Sequence, residues 1–304
     1  MAIHYQDIGK RLRTFRLERG LSADQIAARL GVSRAAVYRI EAGEVIKIDT
    51  LERLAILLET STASLLGVGV EYYADALSYF ARMRQIEERS DQVIAHFPPL
   101  SYLLTSDAYP AFLKRTLIEA LPPGMADQRQ AETEIDAVIA ILDERRALRR
   151  KRGLSVVNFV NVPEIERSLR LGIIGHFAMS DEELTERRQA ARAEVDHLIH
   201  LIESEPMGVQ IGLVEEPLPH IAFQLFRTTD RTYLGLSPFR LGGELPNIRI
   251  GVAMLTAEDQ PVRMFERIAN DLWHRAHRGR DAVALLKDVL RRSAIAREPI
   301  RQAS

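Results

Sequence analysis

Arg34, Ala35, Tyr38 and Arg39 are the side chains whose types and spacing point most directly to chemistry in this 304-residue chain. Val37 and Ile40, interleaved with them, fall at the spacing of a core-facing helical stripe, so the four share the outward face of one short helix. A guanidinium near the start of such a helix can pair with both acceptors of a guanine, and a side chain as small as Ala35 can rest on a thymine methyl. Tyr38 and Arg39 lie one turn further on. Ser33 stands at the cap of this helix, and Ser22 with Gln25 three residues later forms a capping box for the one before it. Helix N-termini of this kind leave free amides that suit phosphate. The expected DNA-binding set is Ser22, Gln25, Ser33, Arg34, Ala35, Tyr38 and Arg39.

Other candidates carry less. His197 with His200, and His274 with His277, each place two imidazoles at i, i+3, but neither has a third ligand in sight and the chain has no Cys. No metal, cofactor or catalytic residue is expected. No GxSxG, P-loop or GxGxxG pattern occurs. The basic run Arg145, Arg146, Arg149, Arg150, Lys151, Arg152 ends a predicted helix and reads as a solvated face that complements the helix dipole.

The elements that position the four outward residues are punctuated clearly. Ile8, Leu12 and Phe15, with Leu17 as a further candidate, form the stripe of a first helix that Gly20 ends. Ile26, Ala27 and Leu30 are the buried face of a second, and Gly31 turns the chain into the third. A fourth helix, Thr50 to Glu59, carries Leu51, Leu54, Ala55 and Leu58, and Leu65-Leu66 closes a five-helix unit. Between Asp7 and Gly43 eight basic residues face four acids, although the whole chain has a net charge of −1. A basic head on a neutral body is the footprint of a nucleic-acid binder.

The stretch from Ile8 to Leu66 resembles the Cro and phage-repressor (XRE) helix-turn-helix family almost end to end. Arg16, Gly20-Leu21-Ser22, Ile26-Ala27, Leu30-Gly31-Val32-Ser33, Val37, Ile40-Glu41 and Gly43 carry the likeness, continued by Leu51, Leu54-Ala55 and Leu58. The resemblance implies that the third helix enters the major groove of double-stranded DNA. One position departs from the family: Ala23 stands where a Gln usually touches phosphate.

The remaining chain predicts a connecting helix over 68–96, from Val70 through Tyr73, Leu77, Phe80 and Met83 to Ile86, stopped by Pro98-Pro99. A larger domain, 97–304, follows the head at 1–67. SYLLT (101–105) and LSVVNFVN (154–161) read as strands, as do four runs between 209 and 255; helical patterns cover 108–121, 126–152, 163–171, 181–204, 259–278 and 281–293. The fold class is an all-α helix-turn-helix domain followed by an α/β or α+β domain with a mixed sheet. Its C-terminal half is faintly similar to phospholipase-D-like domains. Pro219-His220 entering the strand HIAFQLF resembles the approach to that family's HxK motif, and Phe265 with Leu272-Trp273 its closing helix. Ala222 stands where the Lys belongs, so the resemblance implies a degenerate site in which His220 binds a ligand rather than attacking one.

With 46% hydrophobic and 27% charged residues, no signal-like start and no apolar run near membrane length, the composition is that of a cytoplasmic globular protein. The expectation is a homodimeric, non-enzymatic transcription regulator. Its body would sense a small-molecule effector, dimerise, or do both, by population shift. The alternatives are a nuclease or phosphodiesterase guided by the head, and an antitoxin-like protein whose body grips a partner protein.

Overall fold

Ile8, Leu12, Phe15, Ile26, Val37, Leu51 and Leu54 come from four different helices and meet in one buried core. In the computed structural model those helices are α1 (Tyr5–Glu18), α2 (Ala23–Leu30), α3 (Arg34–Glu41) and α4 (Ile48–Leu57), with α5 (Thr62–Leu66) closing the head. The structure describes residues 5–66, 69–173, 176, 178–216, 218, 221–242 and 246–295. Gly31 has a φ of 71°, the left-handed conformation that the tight α2–α3 turn demands. Gly9 serves close approach instead: a Cβ there would sit 2.4 Å from the Glu41 carbonyl oxygen, so only glycine lets α1 lie against the end of α3.

The segment expected to be one connecting helix divides into β1 (Val70–Tyr73), α6 (Ala76–Glu87) and β2 (Ser90–His96). Two local features break the helix. In VEYY, Glu71 and Tyr73 are buried while Tyr72 between them is exposed, a period of two that fits a strand and not a helix. Asp75 then starts a new helix by accepting the Ser78 backbone N–H at 2.8 Å. SYLLT, expected as a strand, is a 3-10 turn at Tyr102–Leu104. The predicted helices that follow are present as α7 (Tyr109–Glu119), α8 (Gln128–Arg152), α9 (Val162–Leu171), α10 (Asp181–Ser204), α11 (Asp259–Arg275) and α12 (Gly279–Ile295). Strands β3 (Ser155–Asn161), β4 (Val209–Val214), β5 (Ala222–Thr228), β6 (Thr232–Ser237) and β7 (Ala253–Thr256) complete the body.

These strands form one mixed sheet in the order β1-β7-β6-β5-β2-β3-β4. β2, β3 and β4 run parallel, and every other pairing is antiparallel. Successive residues of β5 divide between two cores: Ala222 and Phe226 join the one under α6, α7 and α8, while Phe223 and Leu225 join the one under α11. A third core lies beneath α9, α10 and α12. The body is thus an α/β domain with both sheet faces covered.

Because β1 follows the head directly, head and body are packed together. Phe15 of α1 stacks on Tyr73 with ring centroids 5.9 Å apart and planes 2° from parallel. Arg11 donates to the Leu65 and Leu66 carbonyls at 2.8 and 2.9 Å, and its Nη1 lies 3.9 Å from Glu71. Arg82 grips the same carboxylate with two hydrogen bonds, at 2.9 and 3.0 Å, and the Tyr73 hydroxyl adds a third at 2.5 Å. Burial pushes the Glu71 carboxyl up, but the charge of Arg82, its hydrogen bond and Arg11 outweigh that and hold it below the usual carboxylate range. Around this centre Arg89 pairs with Asp7 at 2.6 Å and Gln85 donates to Thr14 at 3.0 Å.

Candidate nucleic-acid interface

The caps that begin α2 and α3 are built as their residue types require. Ser22 Oγ accepts the Gln25 backbone N–H at 3.2 Å, and Gln25 Oε1 accepts the Ser22 backbone N–H at 2.7 Å. Ser33 Oγ accepts the Ala36 backbone N–H at 3.1 Å. Within α3, Val37 is 4% exposed and Ile40 packs partly against the head core. That anchoring leaves Arg34, Ala35, Tyr38 and Arg39 exposed on one side, with Tyr38 47% exposed.

Only surface partners hold these four in place. The Arg34 guanidinium lies 5.5 Å from the Tyr38 ring centroid, donates to the Tyr38 hydroxyl at 3.2 Å and sits 3.4 Å from an Asp24 carboxylate oxygen. Arg39 pairs with Glu44 at 2.9 Å. Exposed contacts of this kind are weak and readily exchanged for a base edge or a phosphate. The helix that carries them is held firmly. Arg16 grips Glu41 through two hydrogen bonds, at 2.5 and 3.0 Å, and donates a third to the Leu21 carbonyl at 3.0 Å. The pair is nearly buried, and the bond to Glu41 raises the Arg16 pKa above its ordinary value. Arg53 of α4 donates to the Leu30 carbonyl at 3.0 Å, closing the C-terminal end of α2. Ala23 is buried in the head core and offers nothing to a phosphate.

The basic run at the end of α8 is a solvated face only in part: Arg150, Lys151 and Arg152 are exposed, whereas Arg145 is buried. Arg145 is buried and forms a two-pronged pair with Glu87, at 2.7 and 2.9 Å. Arg146 donates to the Ser106 carbonyl at 2.8 Å, Arg150 pairs with Asp107 at 2.7 Å, and Arg152 donates to the Glu87 and Glu88 carbonyls. Four members of the run therefore fasten α8 to neighbouring parts of the body. For Arg145 the reason is position: α8 ends against the α6–β2 turn, where the buried Glu87 carboxylate needs a buried donor.

Three of the four paired histidines have local partners. His197 Nε2 lies 3.1 Å from the Leu104 carbonyl, His200 Nδ1 2.7 Å from the Asp196 carbonyl, and His277 Nε2 2.8 Å from Glu215. Among the described residues no group of three or more His, Cys, Asp or Glu is placed to hold a metal. His220 lies outside the described residues. Ala222 begins β5 and is buried, while Phe265 and Trp273 of α11 pack on Phe223 and Phe159.

The arginine–glutamate network at the joint, Arg11, Glu71 and Arg82, was not visible as a site in the sequence. Its signal was available: a carboxylate two residues before Tyr73 in a strand shares that residue's inward face, and an inward charge implies a partner.

The geometry defines a helix-turn-helix head, with an exposed polar face on α3, joined to a mixed α/β body. Residues 7–66 match a family profile described as a helix-turn-helix domain, so this segment is a helix-turn-helix domain of the DNA-binding kind. No curated protein matches the chain. Among solved structures it is similar to TrmBL2, an archaeal chromatin protein with a novel mode of DNA binding. That likeness has 11% identity and a TM-score of 0.31, covering 80% of this chain and 65% of the other. The chain thus spans less than two thirds of that protein's length. No helix among the described residues is long and apolar enough to cross a membrane.

Proposed function

We propose that this protein is a cytoplasmic, sequence-specific transcription regulator of the XRE type, which binds double-stranded DNA as a homodimer and is not an enzyme. The observation that carries the reading is the outward quartet Arg34, Ala35, Tyr38 and Arg39 on a helix braced from behind by the buried Arg16–Glu41 pair. A rigid helix with loosely held polar groups at its leading end is what reading a major groove requires. The body, far larger than a dimerisation element needs to be, takes a small-molecule effector whose binding changes the presentation of the heads. Ala222 in place of a phosphate-stabilising Lys favours binding over phosphodiester hydrolysis.

Selection of genomic fragments by the full-length protein, repeated with Arg34→Ala, tests this reading. A shared short motif bound by the wild type, with relaxed preference at a base pair in the variant, supports it. Equal enrichment of all sequences by both proteins overturns it.

A further inference from the structure

Where α1 leaves the head it does not close fully on the body. A cleft of about 580 Å³ remains between α1, the start of α6, the first half of α8 and the Ile248–Arg249 segment. Its walls are apolar over much of their area. Leu77 and Ala81 come from α6, Ile248 from the far side, and Leu17 from α1. Leu17 is 59% exposed although it faces this concave surface, a large apolar side chain with too little to cover it. At the head's edge of the cleft stand two carboxylates, Glu18 and Asp75. Asp75 is engaged as the cap of α6. Glu18 accepts a hydrogen bond from the Ala74 backbone, but its Oε2, shielded from solvent, has no hydrogen-bond partner among the described residues. A rotation of the Glu18 side chain turns this shielded, unpartnered oxygen from beside the apolar walls into the cleft, where the donor that suits a carboxylate best is a cation.

We propose that this head–body cleft is a binding site for a small organic cation with an apolar arm, its ammonium or amidinium group held by Glu18 and its arm lying on Leu17, Leu77, Ala81 and Ile248. Because one wall is α1, an occupant touches the head itself. Transmission to the operator rests on the regulator reading above; cation binding does not.

The electrostatics agree with the geometry. Burial and the neighbouring charge of Asp75 raise the Glu18 carboxyl to about 7, against the opposing charge of Arg19 and the Ala74 hydrogen bond. The other charged groups on the walls are Arg13 of α1, Glu134 of α8 and Arg249. A proton and a cationic ligand therefore compete for Glu18 near neutral pH, and affinity for the cation falls on acidification.

The test uses the full-length protein and calorimetry, with 2-phenylethylammonium and hexylammonium as probes and 3-phenylpropanoate and hexanoate as their anionic counterparts. Both ammonium ions are expected to bind saturably at about pH 8, the anions at least about tenfold more weakly, and ammonium affinity to fall towards about pH 6. Glu18→Gln should weaken ammonium binding by about tenfold or more and flatten that pH dependence, and Ala81→Phe should block the cleft by filling it. The wild-type pH dependence requires no variant, so the test survives a variant that fails to fold. Absence of ammonium binding, equal binding of the anions, or indifference to both folded variants overturns the site. Operator titrations run in parallel separate the two readings. Ammonium binding without change in operator affinity sustains the site and removes its regulatory role. An operator affinity that responds to another small molecule, with no ammonium binding, removes the site and leaves the regulator reading intact.

Discussion

Arg34 is held by a tyrosine ring, a tyrosine hydroxyl and one exposed aspartate, so little opposes its turning towards a base. Replacing it with Ala should weaken binding to a selected operator by about tenfold to a hundredfold and relax preference at one base pair, as for a lost bidentate guanine contact. Fluorescence anisotropy on the operator and its single-base variants checks this; an equal loss on every sequence would assign Arg34 to phosphate instead. Much at this scale was legible in the sequence. Ser22, Gln25 and Ser33 cap by local geometry, which their own spacing encodes. Glu18 was not legible, because its environment comes from Asp75 and Ala74, more than fifty residues away. Its raised pKa has a stability consequence with a definite sign. The folded protein holds a proton on Glu18 up to about pH 7, whereas the ordinary value is 4.5. Between those values folding takes up a proton, so this group's contribution to stability rises as the pH falls through the window. Thermal melts of the wild type and Glu18→Gln should diverge above about pH 7, with the variant the more stable, and converge towards about pH 5.

Among the elements, α1 and α8 do more than their sequences announce. α1 carries three sets of contacts: Ile8, Leu12 and Phe15 to the head core, Arg16 to α3, and Arg11 with Phe15 to the body. The apolar stripe was readable from its period. The charged contacts were not, since a partner 25 or 60 residues away leaves no local pattern. The stretch 68–96 misled for a related reason. Leu77, Phe80, Met83 and Ile86 do have helical spacing and do form α6, but extending that period backwards absorbed VEYY, where the short alternation marks a strand. Burial of Arg145 against Glu87 decides how α8 will respond to mutation. Arg145→Ala leaves the Glu87 carboxylate buried without its main partner and should destabilise the fold by about 3–5 kcal/mol. It should leave the salt dependence of operator binding unchanged, whereas loss of a phosphate contact would lower that slope by about one. Denaturant titration and binding at several salt concentrations separate the two.

At the scale of the whole molecule, what matters is that the head is fixed to the body and not tethered to it. Phe15 on Tyr73 and the buried Arg11–Glu71–Arg82 cluster set the direction in which α3 faces relative to the sheet. In a dimer formed through the bodies, the two α3 helices would then stand at a separation and angle set by this packing. A helix-turn-helix dimer of that kind reads half-sites about one helical turn, or 10–10.5 base pairs, apart. Each inserted base pair rotates one half-site by about 35° around the duplex axis as well as moving it along, so a fixed pair of heads can follow neither change without straining the joint. A flexibly tethered pair would tolerate both, because its effective concentration varies only gradually with distance. The expected outcome is a sharp optimum. An operator with two half-sites at the preferred spacing should bind the full-length protein at least about tenfold more tightly than a single half-site, and one inserted base pair should remove most of that gain. Mobility-shift titrations over a ladder of spacings measure it. A broad plateau would show that the heads swing free of the bodies on DNA, and equal affinity for one half-site and two would show that the protein reads DNA as a monomer.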